Sequence, residues 1–244
     1  MNTCIIIPCF NEFNRLPVLE FTDYIQKNHI HFYFVNDRST DTNLQLINSL
    51  TNQFSDKITI DNCEVNIGKA EAVRKAVLKV IKNPIYKYIG YFDADLATPL
   101  NEIAPLLNEF KVNPNINLVI GSRIKRLGSM IDRKYSRFLF GRIFATIISE
   151  FILKTPIYDT QCGAKIFKKE VALIMFNEKF LTKWIFDVEI LLRLKVIYGK
   201  EFMTNKIYEF PLNTWVEKGD SKIKFTDFLK VPKDIILLKM KYKS

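Results

Sequence analysis

The sequence predicts an α/β fold: one open, mostly parallel sheet flanked by helices in a single domain. The first half alternates short β-branched or aromatic runs with helical patterns, the signature of βαβ units. Polar residues also collect behind the carboxyl ends of those runs, where open parallel sheets bind their ligands. Finally, 244 residues at 48% hydrophobic content can bury a sizeable core and suit one large domain.

The elements follow in order. TCIIIP is a strand, a helix runs near 15–28, HFYFV is the second strand, and a helix spans about 41–54. KITI, a helix near 69–82 and YKYIGYF complete the alternation, with Asn83-Pro84 stopping the third helix. LNEIAPLLNEF reads as a helix and NLVIGSR as a strand. A long helix over 133–153, the strand GAKIFKK, the helix FDVEILLRLKVIYG and the strand IYEFPLNTW come next. Residues 1–215 are expected to form the domain. Residues 216–244 are expected to be a basic amphipathic segment packed on it or on a membrane surface, with Ile235, Ile236, Leu237 and Leu238 as the packing residues.

Composition narrows the function. Lys and Arg outnumber acids 36 to 26, giving a net charge of +10 and favouring anionic partners such as phosphates, nucleic acid or an anionic membrane face. No nucleic acid partner is expected, because the acids cluster at strand ends, where they would repel a phosphate backbone. Cys4, Cys9, Cys63 and Cys162 form no CxxC pair and follow no secretory signal, so they read as thiols of a reducing, cytoplasmic compartment. No apolar run reaches the roughly 20 residues a bilayer span needs. The nearest, residues 138–153, is interrupted by Arg142 and Glu150 and reads as a core helix or as one lying in a membrane interface. His29 and His31 lack acid or Cys neighbours at metal spacing.

Four polar clusters follow the first four strands: PCFNE at 8–12, NDRS at 36–39, NIGK at 66–69 and DAD at 93–95. They converge on one site. Asp93 and Asp95, with Thr98 behind them, offer hard oxygen ligands to Mg²⁺ or Mn²⁺, which shares its shell with a ligand's phosphates; the plainer reading is a helix N-cap, for which Asn101 and Thr98 are better placed. Asp37 could accept from a nucleobase or ribose, or cap the helix near Asp41. Lys69, beside Gly68 at a helix start, suits a phosphate, although no P-loop motif is present.

Together, PCFNE, VNDRSTD, NIGKAEAVRKA and YFDADLATP resemble the nucleotide-sugar half of inverting family 2 glycosyltransferases with a GT-A fold. GSR at 121–123, DTQCGAKIF at 159–167, WIFDVEILLR at 184–193 and WVEKGDSK at 215–222 resemble dolichyl-phosphate β-glucosyltransferases and their bacterial polyprenyl-phosphate relatives. The resemblance implies transfer of a hexose, glucose foremost, from a UDP-sugar to a polyprenyl phosphate; a sugar hydroxyl of a cell-surface polysaccharide or glycan is the alternative acceptor. It implies that Pro8, Glu12 and Asp37 bind the nucleoside, Lys69 lies near the diphosphate, and Asp93 and Asp95 hold the metal and ribose side. Arg123 and Lys222 would face phosphates; Asp159, Gln161, Trp184, Asp187 and Glu189 would build the sugar and acceptor end; Arg133 and Arg137 would meet the lipid phosphate. Asp159 and Asp187 are the expected catalytic carboxylates, as base for a hydroxyl acceptor or as sugar ligands for a phosphate acceptor. NDRS departs from the family pattern of two acids before the Ser. With no spanning segment evident, residues 138–153 or the basic tail are the expected contacts with the inner face of the membrane.

Overall fold

The computed structural model describes residues 1–219 and 230–242. Its strands are β1 (Thr3–Cys9), β2 (His31–Asn36), β3 (Ile58–Asn62), β4 (Tyr88–Phe92), β5 (Leu118–Ser122), β6 (Met130–Asp132), β7 (Ala164–Lys168), β8 (Ile207–Pro211) and β9 (Thr214–Val216). Its helices are α1 (Val18–Lys27), α2 (Asn43–Gln53), α3 (Lys69–Val80), α4 (Ile103–Val112), α5 (Tyr135–Ile147), α6 (Lys169–Phe176), α7 (Phe186–Asn205) and α8 (Val231–Tyr242). A π-helical stretch, Ile148–Leu153, prolongs α5.

The main sheet runs β3-β2-β1-β4-β7-β5-β8, and β6 and β9 pair separately. Every pairing in the main sheet is parallel except those of β7, which is antiparallel to both β4 and β5. That reversal positions the site. Phe92, the last residue of β4, lies opposite Ala164, the first of β7, so the loop entering β7 arrives at the edge where the other strands end.

Strand residues alternate between two buried layers, as expected for a sheet covered on both faces. Ile5, Ile7, Phe32 and Phe34 pack with α1, α2 and α4; Cys4, Ile6, Ile89 and Tyr91 pack with α3, α6 and α7. Gly90 is required at the centre, since a Cβ there would fall 2.7 Å from the Lys165 carbonyl. The predicted end of the helix at Gly199 corresponds to a kink in α7, where this residue takes φ +80°.

Two details differ from expectation. The boundary at 215/216 falls inside β9, which hydrogen-bonds to β6, so no linker separates the tail at that point. Of the four tail residues expected to pack, Leu238 is fully buried and Ile235 partly, whereas Ile236 and Leu237 are exposed, because α8 lays only one face on the body.

Candidate active site

The site forms at the carboxyl edge, where β1, β2 and β4 each hand over to a residue with left-handed backbone: Asn11 (φ 50°), Arg38 (φ 59°) and Leu96 (φ 50°). Such positions cost roughly 1–3 kcal/mol each and persist where the surroundings impose them. Asn11 accepts the Thr40 N–H at 2.8 Å, tying the first loop to the second. Asp37 is buried, and its carboxylate accepts the N–H groups of Ile67 (2.7 Å) and Gly68 (2.8 Å), fixing the entry to α3. Beside it a cleft of about 510 Å³ opens between the ends of β2 and β3, lined by Asn36, Arg38, Ser39, Asn62 and Cys63 among others. Pro8 sits within β1 opposite Val35, and Glu12 is buried 3.6 Å from the Arg15 guanidinium.

Asp93 and Asp95 lie together after β4 and carry one cation each: Lys69 bonds Asp93 and Arg15 bonds Asp95. Burial, and then the Asp93 charge, push the Asp95 carboxyl above its ordinary range despite Arg15 and the Ala97 N–H. Burial disfavours the Lys69 ammonium, but Asp93 and Asp187 override this and raise its proton affinity. Neither acid caps the following helix; Asp95 closes its own turn on Ala97 at 3.1 Å. Among the described residues no group of three or more His, Cys, Asp and Glu converges to hold a metal ion. Two hard carboxylates that repel each other and borrow cationic side chains suit Mg²⁺ or Mn²⁺ nevertheless, because such an ion takes one or two protein carboxylates and completes its shell with phosphates and water.

Gly163 brings the second half of the chain to this pair. A Cβ at Gly163 would fall 1.9 Å from Asp93 Oδ2, so only glycine admits the carboxylate there. Upstream, Asp159 accepts four N–H groups: Arg123 Nε (2.6 Å) and the Arg123 backbone (3.1 Å) on one oxygen, Arg123 Nη2 (2.8 Å) and the Gln161 backbone (3.2 Å) on the other. Burial alone would raise the Asp159 carboxyl; the Arg123 guanidinium overrides it and holds it at about 2. Arg123 also stacks against Trp215, 5.3 Å from the ring centroid. Arg133 lies over Gly141 of α5, and burial together with the charges of Arg123 and Arg137 lowers its proton affinity. Arg137 bonds Glu217 at 2.6 Å beside a cleft of about 310 Å³ bordered by Asp132, Lys134, Glu217 and Gly219.

The structure corrects three expectations. Asp159 is a poor base, since its carboxylate is saturated and its pKa depressed. Asp187 is buried and bonded to the Lys165 ammonium (2.6 Å) and the Tyr91 hydroxyl, so it anchors the β7 entry loop instead of facing a ligand. Glu189 is sealed off: its carboxylate is fully buried against Arg193, the Leu181 N–H and the Tyr242 hydroxyl, where it pins α8 to α7. Trp184 and Gln161 are half-buried on the loops nearby, and Lys222 lies outside the described residues.

Several contributing residues carry no obvious sequence signal. Arg15 reads as an ordinary helix-start residue, 80 positions from Asp95. Lys165 could have been found, because a lysine in the apolar strand AKIF must satisfy a buried charge; its Nζ reaches the carbonyls of Thr160 and Cys162 as well as Asp187. Glu209 bonds the Tyr158 and Asp159 N–H groups and fixes the same loop from β8.

The parallel sheet with a carboxylate pair at its ligand edge and one reversed strand beside it is shared with glycosyltransferases of the GT-A class. The fold matches glucosyl-3-phosphoglycerate synthase from Mycobacterium tuberculosis: TM-score 0.69 at 13% identity for a complex with Mn²⁺, UDP and glucosyl-3-phosphoglycerate, covering 99% of this chain and 79% of that one. A complex of the same enzyme with phosphoglyceric acid gives a TM-score of 0.71 at 12% identity over the same shares. The chain belongs to glycosyl transferase family 2, whose sequence profile matches residues 4–173. Human dolichyl-phosphate β-glucosyltransferase is 29% identical, covering 98% of this chain and 75% of the relative. The Saccharomyces cerevisiae enzyme of that name is also 29% identical, covering 98% of this chain and 74% of the relative.

Proposed function

We propose that the chain transfers glucose from UDP-glucose, with inversion, to a polyprenyl phosphate of the dolichyl or undecaprenyl type, using Mg²⁺ or Mn²⁺. The names of the 29% identical relatives support the acceptor and the sugar, and the Mn²⁺ and UDP bound in the structural neighbour support the donor and the ion.

The observation that carries the choice of acceptor is the bidentate Arg123–Asp159 pair. A sugar hydroxyl needs a positioned base, typically a contribution of about 10²- to 10⁴-fold, and a carboxylate held at about 2 removes hardly any proton. A phosphate monoester has a second pKa near 6 and attacks as the anion without help. Transfer to a glycan hydroxyl is therefore the weaker reading.

In this scheme Asp93 and Asp95 would hold a divalent metal ion, which would supply positive charge opposite the leaving diphosphate. Lys69 and Arg15, released from the carboxylates, add positive charge beside it. Pro8, Glu12 and the Asp37 loop frame the nucleoside next to the cleft at Asn36 and Asn62. Arg133, crowded by Arg123 and Arg137, gains most from an anion and receives the acceptor phosphate. Asp187 acts at one remove, by holding Lys165 and hence the loop that presents Gly163 and Asp159.

Mass spectrometry of products tests this after incubation with a panel of UDP- and GDP-sugars, with polyprenyl phosphate or free oligosaccharides as acceptors. A hexosyl polyprenyl phosphate formed from UDP-glucose is expected. Glycosylated oligosaccharide without any lipid-linked sugar would overturn the acceptor assignment.

A further inference from the structure

The stretch WVE at 215–217 sends two side chains among the arginines at this end of the site. Residues two apart on a strand share a face. Trp215 accordingly packs against the Arg123 guanidinium, 5.3 Å from the ring centroid, and Glu217 meets Arg137, whose Nη1 donates to Oε1 at 2.6 Å. Glu217 continues the ladder to β6 by donating its N–H to the Asp132 carbonyl at 3.1 Å, and its other oxygen accepts the Lys134 N–H at 3.1 Å. Its side chain is only 9% accessible. Burial would raise the Glu217 carboxyl; the Lys134 N–H and Arg137 override this and hold it below the ordinary range.

Charge around this carboxylate is unbalanced. Arg123 and Arg137 both act on Arg133, and the acids within reach of it are Asp159 and Glu217. Asp159 is engaged by Arg123 and Glu217 by Arg137, whereas Arg133 is half-buried and makes no hydrogen bond or ion pair among the described residues. Asp132 and Lys134, exposed at the mouth of the cleft of about 310 Å³ beside Glu217, offset one another. We propose that Glu217 is a built-in competing anion: it occupies Arg137 in place of the acceptor phosphate, which displaces it on binding and then bridges Arg133 and Arg137. The identity of the ligand rests on the polyprenyl phosphate reading; the exchange of Glu217 for a phosphate does not.

Exchange fits the chemistry of acceptor and product. The acceptor monoester arrives as a dianion at neutral pH, its second pKa being about 6. In the transfer one of its oxygens bonds the anomeric carbon, the bond from that carbon to UDP breaks with its electron pair passing to UDP, and the monoester dianion becomes a diester monoanion. The arginine cluster attracts both forms. A carboxylate that returns to Arg137 weakens the hold on each, and the product, with half the charge, is the one released. A neutral sugar hydroxyl has no charge with which to displace Glu217.

The test is calorimetric titration of the full chain with inorganic phosphate, UDP being present to fill the donor side, beside the same titration of Glu217→Gln, which keeps the shape and one acceptor oxygen. The variant is expected to bind phosphate about tenfold tighter or better, since one like charge is removed from a part-buried site, with UDP affinity and circular dichroism unchanged. Adding Arg137→Met should erase that gain, as expected of a coupled pair. In transfer to a short, water-soluble polyprenyl phosphate, Glu217→Gln should lower KM for the acceptor, and the diester product should inhibit it more strongly than it inhibits wild type. Equal or weaker phosphate binding by Glu217→Gln overturns the inference, since Glu217 then only orients Arg137. So does a gain that survives Arg137→Met. If no polyprenyl phosphate is glycosylated while phosphate binding responds to Glu217 and Arg137 as described, the acceptor assignment fails and the competing carboxylate stands.

Discussion

Replacing Asp159 by Asn removes the negative half of a buried pair whose side chains are only 8% and 13% accessible. The Asp159 carboxyl falls from an ordinary 3.8 to about 2, which by linkage corresponds to about 2.5 kcal/mol of stability. The sign follows from the depression. The contribution is complete above about pH 5 and is lost progressively as pH falls through 3.8 and below about 2. In the variant Arg123 stays buried without its counter-charge, and breaking such pairs typically costs about 3–5 kcal/mol. Asn keeps the shape and one acceptor, so we expect a loss of about 2–4 kcal/mol at neutral pH. Urea unfolding of both proteins between neutral pH and about pH 2 measures it. The gap between them should be widest at neutral pH and shrink as acid protonates wild-type Asp159. Adding Arg123→Met to Asp159→Asn should recover part of the loss, because no unpaired charge then remains. A neutral-pH difference below about 0.5 kcal/mol, the size of an ordinary surface substitution, would refute the reasoning.

Other expectations concern the carboxylate pair and its supports. Asp95→Asn should abolish nearly all metal-dependent transfer, and chelation should do the same to wild type; because burial and Asp93 raise the Asp95 carboxyl, thermal unfolding should show stability unchanged or increased. Gly163→Ala should displace Asp93, given the 1.9 Å approach, and lower kcat about 100-fold or more while melting shifts little; transfer assays beside calorimetry separate the two effects. Lys165→Met should strand Asp187 and two carbonyls and cost about 3–5 kcal/mol, read as a lowered urea midpoint.

The strands and their order of polar clusters were legible because period-2 alternation and the residues that follow each strand are local properties. The direction of β7 was not, since AKIF has the same pattern read either way; only its pairing to β4 shows that DTQCG enters from the ligand edge. Ion pairing was invisible for the same reason, as Arg15 meets Asp95 across 80 residues and Arg123 meets Asp159 across 36. Glu189 is a different lesson. Residues two apart on a helix point to opposite sides, so WIFDVE could not turn both Asp187 and Glu189 toward one ligand. The helix at 138–153 was read as core or interface; Ile148 and Ile152 on one side join the core, while Phe140 and Phe151 on the other are exposed.

The strand order also dictates a folding sequence. β1, β2 and β3 can assemble from their own crossovers, but among the described residues β5 pairs with β7 and β8, both later in the chain. A nascent polypeptide that stops short of residue 168 therefore holds β4 as an open edge and the apolar run LVIG without a partner. Such edges recruit other chains. Truncations in the middle of this molecule should thus aggregate during synthesis, and the ligand edge closes only once β7 has been threaded between strands made long before it.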